Sequence, residues 1–230
     1  HLQKNCNFQT HLKYNFLLKL FKILSIAVTS LLLIVISFLH YQQFPIYEWE
    51  FILEYIKDNR QKEDFNSIAT KLGYNENDKL LIIHADDVGL SKSVNESTFE
   101  SFKNNSITSA AIIMNTYEME EGLKFAVENP NFDFGVHLTV TSEWKYHKWG
   151  GILDKAKTPS LHNSVNNFYW NKRKFVKNAD LNEIKMELQA QISLAKSMGL
   201  KPSHIDSHEG ALFFDPNIFK IYIDLSLIHI

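Results

Sequence analysis

The sequence predicts an α/β fold with a parallel sheet, preceded by a single membrane-spanning helix. Four short apolar segments after residue 78 alternate with helical patterns, which is typical of parallel strands joined by crossover helices. The first segment, Leu80–Ile83, leads within four residues to two adjacent carboxylates, Asp86 and Asp87. Apolar strands that present polar side chains at their carboxyl ends are a common way for parallel sheets to build active sites. An uncharged run over residues 23–39 predicts the spanning helix.

The composition excludes several classes of protein. The chain has 230 residues, 45% of them hydrophobic, which is enough for one or two domains with a sizeable core. A formal net charge of −2 gives no basic surface for nucleic acid, so we expect no nucleic-acid partner. Cys6 is the only cysteine, and therefore neither an intrachain disulfide nor a site built from several thiolates is possible.

The N-terminal 39 residues have the pattern of a signal anchor. Residues 1–22 contain four lysines, and residues 23–39 contain no charged residue. This asymmetry predicts a basic cytoplasmic segment, a transmembrane helix and an extracytoplasmic remainder, so the membrane is an expected partner. Aromatic residues that could lie at the membrane interface follow the run: Tyr41, Phe44, Tyr47 and Trp49. The alternatives are a buried helix of a soluble protein, or a cleaved signal peptide that leaves a secreted protein. No small-x-small cleavage pattern follows the run, which favours the anchor.

The rest of the chain divides into a linker and a domain. Residues 40–77 are predicted to be a helical linker, with amphipathic helices over 47–59 and 65–72. Residues 78–230 are predicted to be the domain that carries the site. The unbroken apolar character of Leu80–Ile83 predicts a strand buried on both faces. Further strands are predicted over 108–114, 132–140 and 203–207, and helices over 91–104, 117–128, 181–198 and after Asp215-Pro216.

Three residues suited to metal binding stand at the ends of different predicted strands. They are Asp87, His137 and His208. The carboxyl ends of parallel strands share one rim of a sheet, so residues far apart in sequence can converge there. One carboxylate and two imidazoles form a facial donor set that leaves positions open for water and substrate. The alternative for each residue alone is a packed or solvated side chain, and for Asp86-Asp87 a strand end followed by a helix cap.

Three segments together resemble the signature blocks of the YdjC-like carbohydrate deacetylases, a family that includes chitooligosaccharide and hopanoid-biosynthesis deacetylases. The segments are residues 84–95, 135–139 and 202–208, and the intervening residues 105–109 also fit the family pattern. The resemblance implies a distorted (β/α) barrel related to polysaccharide deacetylases. It also implies a bound divalent ion, Mg²⁺ in most descriptions of the family, with Zn²⁺ as the alternative. The expected reaction is hydrolysis of the N-acetyl group of an amino sugar, such as a chitooligosaccharide, to release acetate.

The resemblance also assigns roles to individual residues. Asp87, His137 and His208 match the metal ligands, and Asp86 matches the general base that takes a proton from the attacking water. Asp206 is a candidate for orienting a ligand histidine from outside the first coordination shell, with a solvated strand-end acid as the alternative. Aromatic residues after His137 could stack on sugar rings or form a small satellite core: Trp144, Tyr146, Trp149, Phe168, Tyr169 and Trp170.

The sequence leaves two other functions open, and it predicts that the barrel is incomplete. A membrane-anchored glycan-binding protein without catalysis is the main alternative. Hydrolysis of a phosphoester is another, although no cluster of Arg or Lys accompanies the motifs. The family domain extends beyond residue 230, so we expect an incomplete barrel. Because the missing strands should carry a general acid, we expect weak metal binding and little turnover from the chain as given.

Overall fold

The computed structural model describes residues 19–37 and 66–230, which belong to two units divided after residue 63. The first unit contains helix α1 (Lys19–Ser37), whose apolar side chains are exposed and whose length and composition suffice to cross a membrane. An apolar helix is therefore confirmed where the sequence predicts one, whereas its insertion into a membrane stays a prediction. The predicted helix over 47–59 and the predicted aromatic belt lie outside the described residues.

The second unit alternates strands and helices along the chain. Its strands are β1 (His84–Val88), β2 (Ser109–Ile112), β3 (Phe134–Leu138) and β4 (Ile205–Ser207). Its α-helices are α2 (Asn66–Lys71), α3 (Lys92–Lys103), α4 (Met119–Glu128), α5 (Lys172–Asn178), α6 (Leu181–Ser197) and α7 (Pro216–His229), and 3₁₀ turns cover Pro159–Leu161 and His208–Phe213.

The four strands form one parallel sheet in the order β1-β2-β3-β4. The predicted α/β class with parallel strands is thus confirmed, and the described strands form an open sheet. Strands β2 and β3 are buried along their whole length, which their apolar and small residues allow. His137 pairs in register with Asp206, so the two side chains start from neighbouring positions on adjacent strands.

Helices pack against this sheet and enclose the core. The buried face of α6 consists mainly of Ile184, Leu188 and Ile192, at the spacing that the sequence predicts. Phe102 of α3 stacks on Phe132 beside β3. Helix starts follow their capping residues: Ser91 accepts a hydrogen bond from the Val94 N–H, and Asp215 accepts two from the first turn of α7.

One prediction about the first strand is wrong. The run Leu80–Ile83 precedes β1 and is exposed. Its four residues, in chain order, are 47, 75, 76 and 44% exposed. Strand β1 lies at an edge of the described sheet, where only β2 pairs with it. Apolar content alone could not reveal this, because hydrophobicity does not specify which neighbours are present.

Candidate metal centre

The ends of β1, β3 and β4 place three potential ligands at one rim of the sheet. The register between β1 and β2 is irregular between Ala85 and Val88, and Asp87 has a left-handed backbone with φ of 60°. Asp tolerates this conformation better than most residues. His137 lies near the carboxyl end of β3, and His208 directly follows β4. The irregular backbone at Asp87 brings its carboxylate to the two histidines.

The three donor atoms form a small triangle. Asp87 Oδ1 lies 2.9 Å from His208 Nδ1 and 3.3 Å from His137 Nε2, and the two ring nitrogens are 3.2 Å apart. An ion about 2.0–2.2 Å from three donors, at donor–ion–donor angles of about 90–110°, requires donors about 2.8–3.6 Å apart. The observed separations therefore fit one divalent ion bound on an open face, with Asp87, His137 and His208 as its protein ligands.

A buried oxygen without a hydrogen bond supports the same fit. Asp87 Oδ1 is buried and has no partner with hydrogen-bond geometry among the described residues, although both imidazoles lie close to it. Unpaired buried carboxylate oxygens are costly, and a cation offsets that cost. His137 and His208 are themselves only 2% and 3% exposed. The donor set thus provides negative charge and lone pairs where water is largely excluded.

The electrostatics of the centre favour positive charge. Burial raises the pKa of Asp87, but the two histidines outweigh it and hold that pKa well below its usual range. Burial lowers the pKa of His208, but Asp87 and Glu143 outweigh it and raise the pKa to about 10. His137 shows the same balance, in which burial is outweighed by Asp206 and Asp87 and the pKa is raised. A site that stabilises two imidazolium groups can instead stabilise a divalent cation that displaces their protons.

A further carboxylate, that of Asp206, contacts the outer nitrogen of His137. Asp206 Oδ1 lies 2.6 Å from His137 Nδ1, and its Oδ2 lies 3.0 Å from His84 Nε2. His84 Nδ1 in turn lies 3.0 Å from the Ser109 hydroxyl. The structure therefore places Asp206 where the sequence analysis proposes it, beside a candidate ligand histidine. Its function as an orienting group stays a prediction.

Asp86, the candidate general base, is exposed at the same strand end. Its side chain makes no hydrogen bond or ion pair with the part of the chain that the structure describes. The carboxylate is thus accessible to water and is not held by a competing cation.

A buried asparagine holds the turn that follows these acids. Asn95 Oδ1 accepts a 2.7 Å hydrogen bond from the Gly89 N–H, and its amide group donates to the Glu118 carbonyl oxygen. The Thr116 hydroxyl donates to the Gly89 carbonyl oxygen at 2.7 Å. Gly89 has φ of 97°, and a Cβ there would lie 3.0 Å from the Ile113 carbonyl oxygen. The turn therefore requires glycine for both its conformation and its packing.

Replacing Gly89 with alanine is expected to lower the free energy of unfolding by about 2–4 kcal/mol, because the left-handed backbone and the close contacts both oppose a side chain. Gly73→Ala is the matched control, since Gly73 has φ of 87° and open space around the new Cβ. Its expected loss is about 1–2 kcal/mol, because only the left-handed backbone opposes a side chain there. Denaturant unfolding of both variants measures the difference, and equal losses would contradict the packing argument.

The predicted sugar-contacting aromatic residues have different environments. Trp144 and Tyr146 are 49% and 81% exposed, whereas Trp149 is 4% exposed. The Trp149 ring packs edge-on against His208, with centroids 5.6 Å apart. Phe168 is fully buried and packs on His162. Trp144 and Tyr146 are therefore available to a ligand, and Trp149 contacts the metal centre itself.

Several residues near the centre were not identified from the sequence. Glu143 lies 2.9 Å from His208 Nε2, and Glu209 has a left-handed backbone with φ of 52°. Burial, then Glu143, raises the pKa of Glu209. Lys172 lies 3.7 Å from Glu209 Oε1, and burial lowers the pKa of Lys148. Their positions depend on loop geometry, and the sequence offered no signal beyond the acids that flank the motifs.

Two buried polar residues of α6 connect this helix to the rim. Gln191 forms hydrogen bonds with both the N–H and the carbonyl oxygen of Thr139, just after β3. Glu187 accepts hydrogen bonds from the N–H groups of Ile152 and Leu153 and from the Gln191 amide. The sequence signal that could have identified these two residues is their position within the apolar stripe of α6. These bonds fix the strand end and the loop after Trp149 relative to the core.

Comparison with known protein families identifies one that matches most of the chain. A family model described as YdjC-like protein matches residues 80–228, which include every strand and all the candidate ligands. The chain belongs to the YdjC-like protein family. The membership inferred from the sequence motifs is thereby confirmed.

Curated relatives of this family member have related names. A carbohydrate deacetylase of Clostridium beijerinckii is 30% identical over 149 residues, which is 65% of this chain and 57% of that protein. A carbohydrate deacetylase of Geobacillus stearothermophilus is 34% identical over 63% of this chain and 55% of its own length. A chitooligosaccharide deacetylase of Yersinia pestis is 31% identical over 57% of this chain and 49% of its own length. The chain thus spans about half the length of these relatives.

A solved structure has a similar fold. It is a crystal structure of a protein from Enterococcus faecalis, provisionally assigned to cellobiose-phosphate cleavage. The TM-score is 0.59 at 28% sequence identity, and the match covers 64% of this YdjC-like chain and 55% of the other. The similarity supports the arrangement of strands and helices that builds the rim.

Proposed function

We propose that this YdjC-like chain belongs to a metal-dependent carbohydrate deacetylase that hydrolyses the N-acetyl group of an amino sugar. The observation that carries the proposal is the triangle of donor atoms from Asp87, His137 and His208, with separations of 2.9–3.3 Å. The names of the curated relatives supply the substrate class, a carbohydrate such as a chitooligosaccharide. A non-catalytic glycan-binding protein would need neither this triangle nor the exposed carboxylate of Asp86, the residue that precedes Asp87.

The donor set bears on which ion binds. Mg²⁺ prefers oxygen ligands and usually keeps several waters, whereas two imidazoles and one carboxylate are typical of Zn²⁺ and other transition metals. The resemblance to the family points to Mg²⁺ instead. On the chemistry of His137, His208 and Asp87, we propose Zn²⁺ or a similar transition ion as the tighter-binding metal, and direct titration with both ions distinguishes the two.

The residues of the centre account for an amide hydrolysis. A bound divalent ion supplies Lewis-acid polarisation of the acetamide carbonyl. Asp86 is exposed and directly precedes Asp87, and its carboxylate takes a proton from the water that attacks the carbonyl carbon. The carbon–nitrogen bond then breaks as the leaving nitrogen accepts that proton, which gives the free amine and acetic acid, and the acid ionises to acetate. Trp144 and Tyr146 offer exposed aromatic faces on which a sugar ring can stack.

The test is acetate release from N-acetylated chitooligosaccharides by the full-length gene product that contains this chain. We expect release with Zn²⁺ or Mg²⁺ present, loss after chelation, and recovery when the ion is restored. Binding of the oligosaccharide without any acetate would favour the glycan-binding alternative. Release that persists at full rate after complete removal of metal would overturn the metal-dependent mechanism.

For localisation, we propose that α1 anchors the protein in a membrane with the catalytic domain outside the cytoplasm. The support is an uncharged run over 23–39 preceded by lysines, since each charge placed at the bilayer centre costs about 3 kcal/mol. Protease treatment of intact cells should digest the domain that contains Asp87. A domain that stays protected in intact cells and is digested only after lysis would place it in the cytoplasm.

A further inference from the structure

We infer that Glu143 is a positioning residue that fixes the tautomer of His208 and thereby directs its Nδ1 lone pair to the metal centre. The inference rests on the proposed function, because it assigns His208 as a ligand. Glu143 does not reach the ion in this arrangement. It acts only through the imidazole of His208.

The two nitrogens of His208 face different partners. Nδ1 lies 2.9 Å from Asp87 Oδ1 and 3.2 Å from His137 Nε2, inside the triangle. Nε2 lies on the opposite side, 2.9 Å from Glu143 Oε2. A neutral imidazole carries one N–H, and a carboxylate can only accept. With Glu143 as the acceptor the proton resides on Nε2, and Nδ1 keeps the lone pair that a metal ion needs.

Glu143 is itself held by the base of its loop. The Trp149 N–H donates to the Ser142 hydroxyl at 3.0 Å, which closes the loop over residues 142–149. The Ser142 N–H donates to the Tyr169 carbonyl oxygen at 3.0 Å. Lys148 Nζ donates to the carbonyl oxygens of Ser142 and Glu143, at 2.7 and 3.3 Å. These bonds limit the movement of the backbone that carries Glu143.

The same loop contacts His208 from a second direction. The Trp149 ring packs against the His208 ring at an interplanar angle of 66°. Trp149 therefore restricts the tilt of the imidazole, and Glu143 defines its rotation and tautomer. Asp206 makes the equivalent contact with His137, because its Oδ1 lies 2.6 Å from His137 Nδ1. Each candidate ligand histidine thus has its own carboxylate on the nitrogen that faces away from the triangle.

A competing arrangement uses the same histidine differently. Glu143, His208 and Glu209 also present donor atoms within 4.8 Å of one another, so an ion could bind His208 Nε2 instead. The two arrangements exclude each other, because one neutral imidazole cannot offer both lone pairs. Glu209 already accepts a hydrogen bond from Thr141 and lies 3.7 Å from the Lys172 ammonium group. Asp87 Oδ1 has no hydrogen bond, which favours the Asp87 side.

The experiment combines zinc titration with NMR of the full-length gene product carrying ¹⁵N-labelled histidine. Long-range ¹H–¹⁵N spectra of the zinc-loaded protein should show His208 with its proton on Nε2. Glu143→Ala should lower zinc affinity by about 10–100-fold and remove the single Nε2–H state. Glu143→Gln should recover part of the affinity, because its amide oxygen can still accept the Nε2 proton. Glu209→Gln should leave zinc affinity within about threefold and is the matched control for loss of a neighbouring charge.

The outcomes separate this inference from the proposed function. Zinc binding that is lost in Asp87→Asn but unchanged in Glu143→Ala, with the same His208 tautomer, would overturn the role of Glu143 and leave the metal centre intact. Loss of zinc binding in Glu209→Gln but not in Asp87→Asn would place the ion at the competing cluster and overturn both. Absence of both Zn²⁺ and Mg²⁺ binding by the unmodified protein would also overturn both.

Discussion

Replacing Asp87 with asparagine is expected to lower zinc affinity by at least about 100-fold and to abolish detectable acetate release, because a ligand contributes more than the outer groups whose loss costs about 10–100-fold. The change preserves the shape of the side chain but removes the negative charge between His137 Nε2 and His208 Nδ1, at 3.3 and 2.9 Å. Isothermal titration with Zn²⁺ and an acetate assay on the full-length gene product measure the two effects.

Asp133→Asn provides a matched control for the loss of one carboxylate near β3. Asp133 lies 3.9 Å from His204 Nδ1 and does not belong to the triangle. We expect its variant to bind zinc within about threefold of the unmodified protein, because exposed ion pairs contribute little. Zinc affinity that falls equally in both variants would show a general effect of charge and would remove Asp87 from the ligand set.

Replacing Asp86 with asparagine is expected to lower the deacetylation rate constant by about 10²–10⁴-fold, which is the usual contribution of a general base. Zinc affinity should stay within about threefold, because the exposed Asp86 carboxylate has no contact with the donor triangle. Steady-state rates measured at saturating zinc separate proton transfer from metal loading. The paired variants Asp86→Asn and Asp87→Asn thus change adjacent carboxylates, and only the second is expected to weaken zinc binding.

Two results would remove Asp86 from the proposed mechanism. An Asp86→Asn variant that keeps its full rate at saturating zinc would show that another group takes the proton. A variant whose rate recovers completely when zinc is raised would make Asp86 a contributor to metal binding. Asp86→Glu offers a further check, since a longer carboxylate can still accept a proton and should retain part of the rate.

Local patterns were sufficient to predict most elements of the fold. Helix α6 was identified from periodicity, strand β3 from its short apolar segment, and the start of α7 from Asp215-Pro216, because these signals depend on residues close in sequence. Helix α5 was not predicted, since its seven residues, Lys172–Asn178, are mostly cationic and show little periodicity.

The sheet topology was enough to predict that the three candidate ligands lie close together. Asp87, His137 and His208 each follow or end an apolar strand, and parallel strands place such ends at one rim. The motifs in sequence order then identified the family that the comparisons confirm. The residues alone thus determined the fold class, the family and the set of candidate ligands.

The tertiary structure decided which residues surround those ligands. Glu143 reaches His208 from 65 residues away, and Asp206 reaches His137 from 69 residues away. It also decided that Leu80–Ile83 is exposed and that Trp149 is buried. Such facts depend on the packing of loops and on which neighbours flank a strand. Periodicity along the chain reports the local conformation and the buried face of an element, and distances between distant side chains are set only when the elements pack.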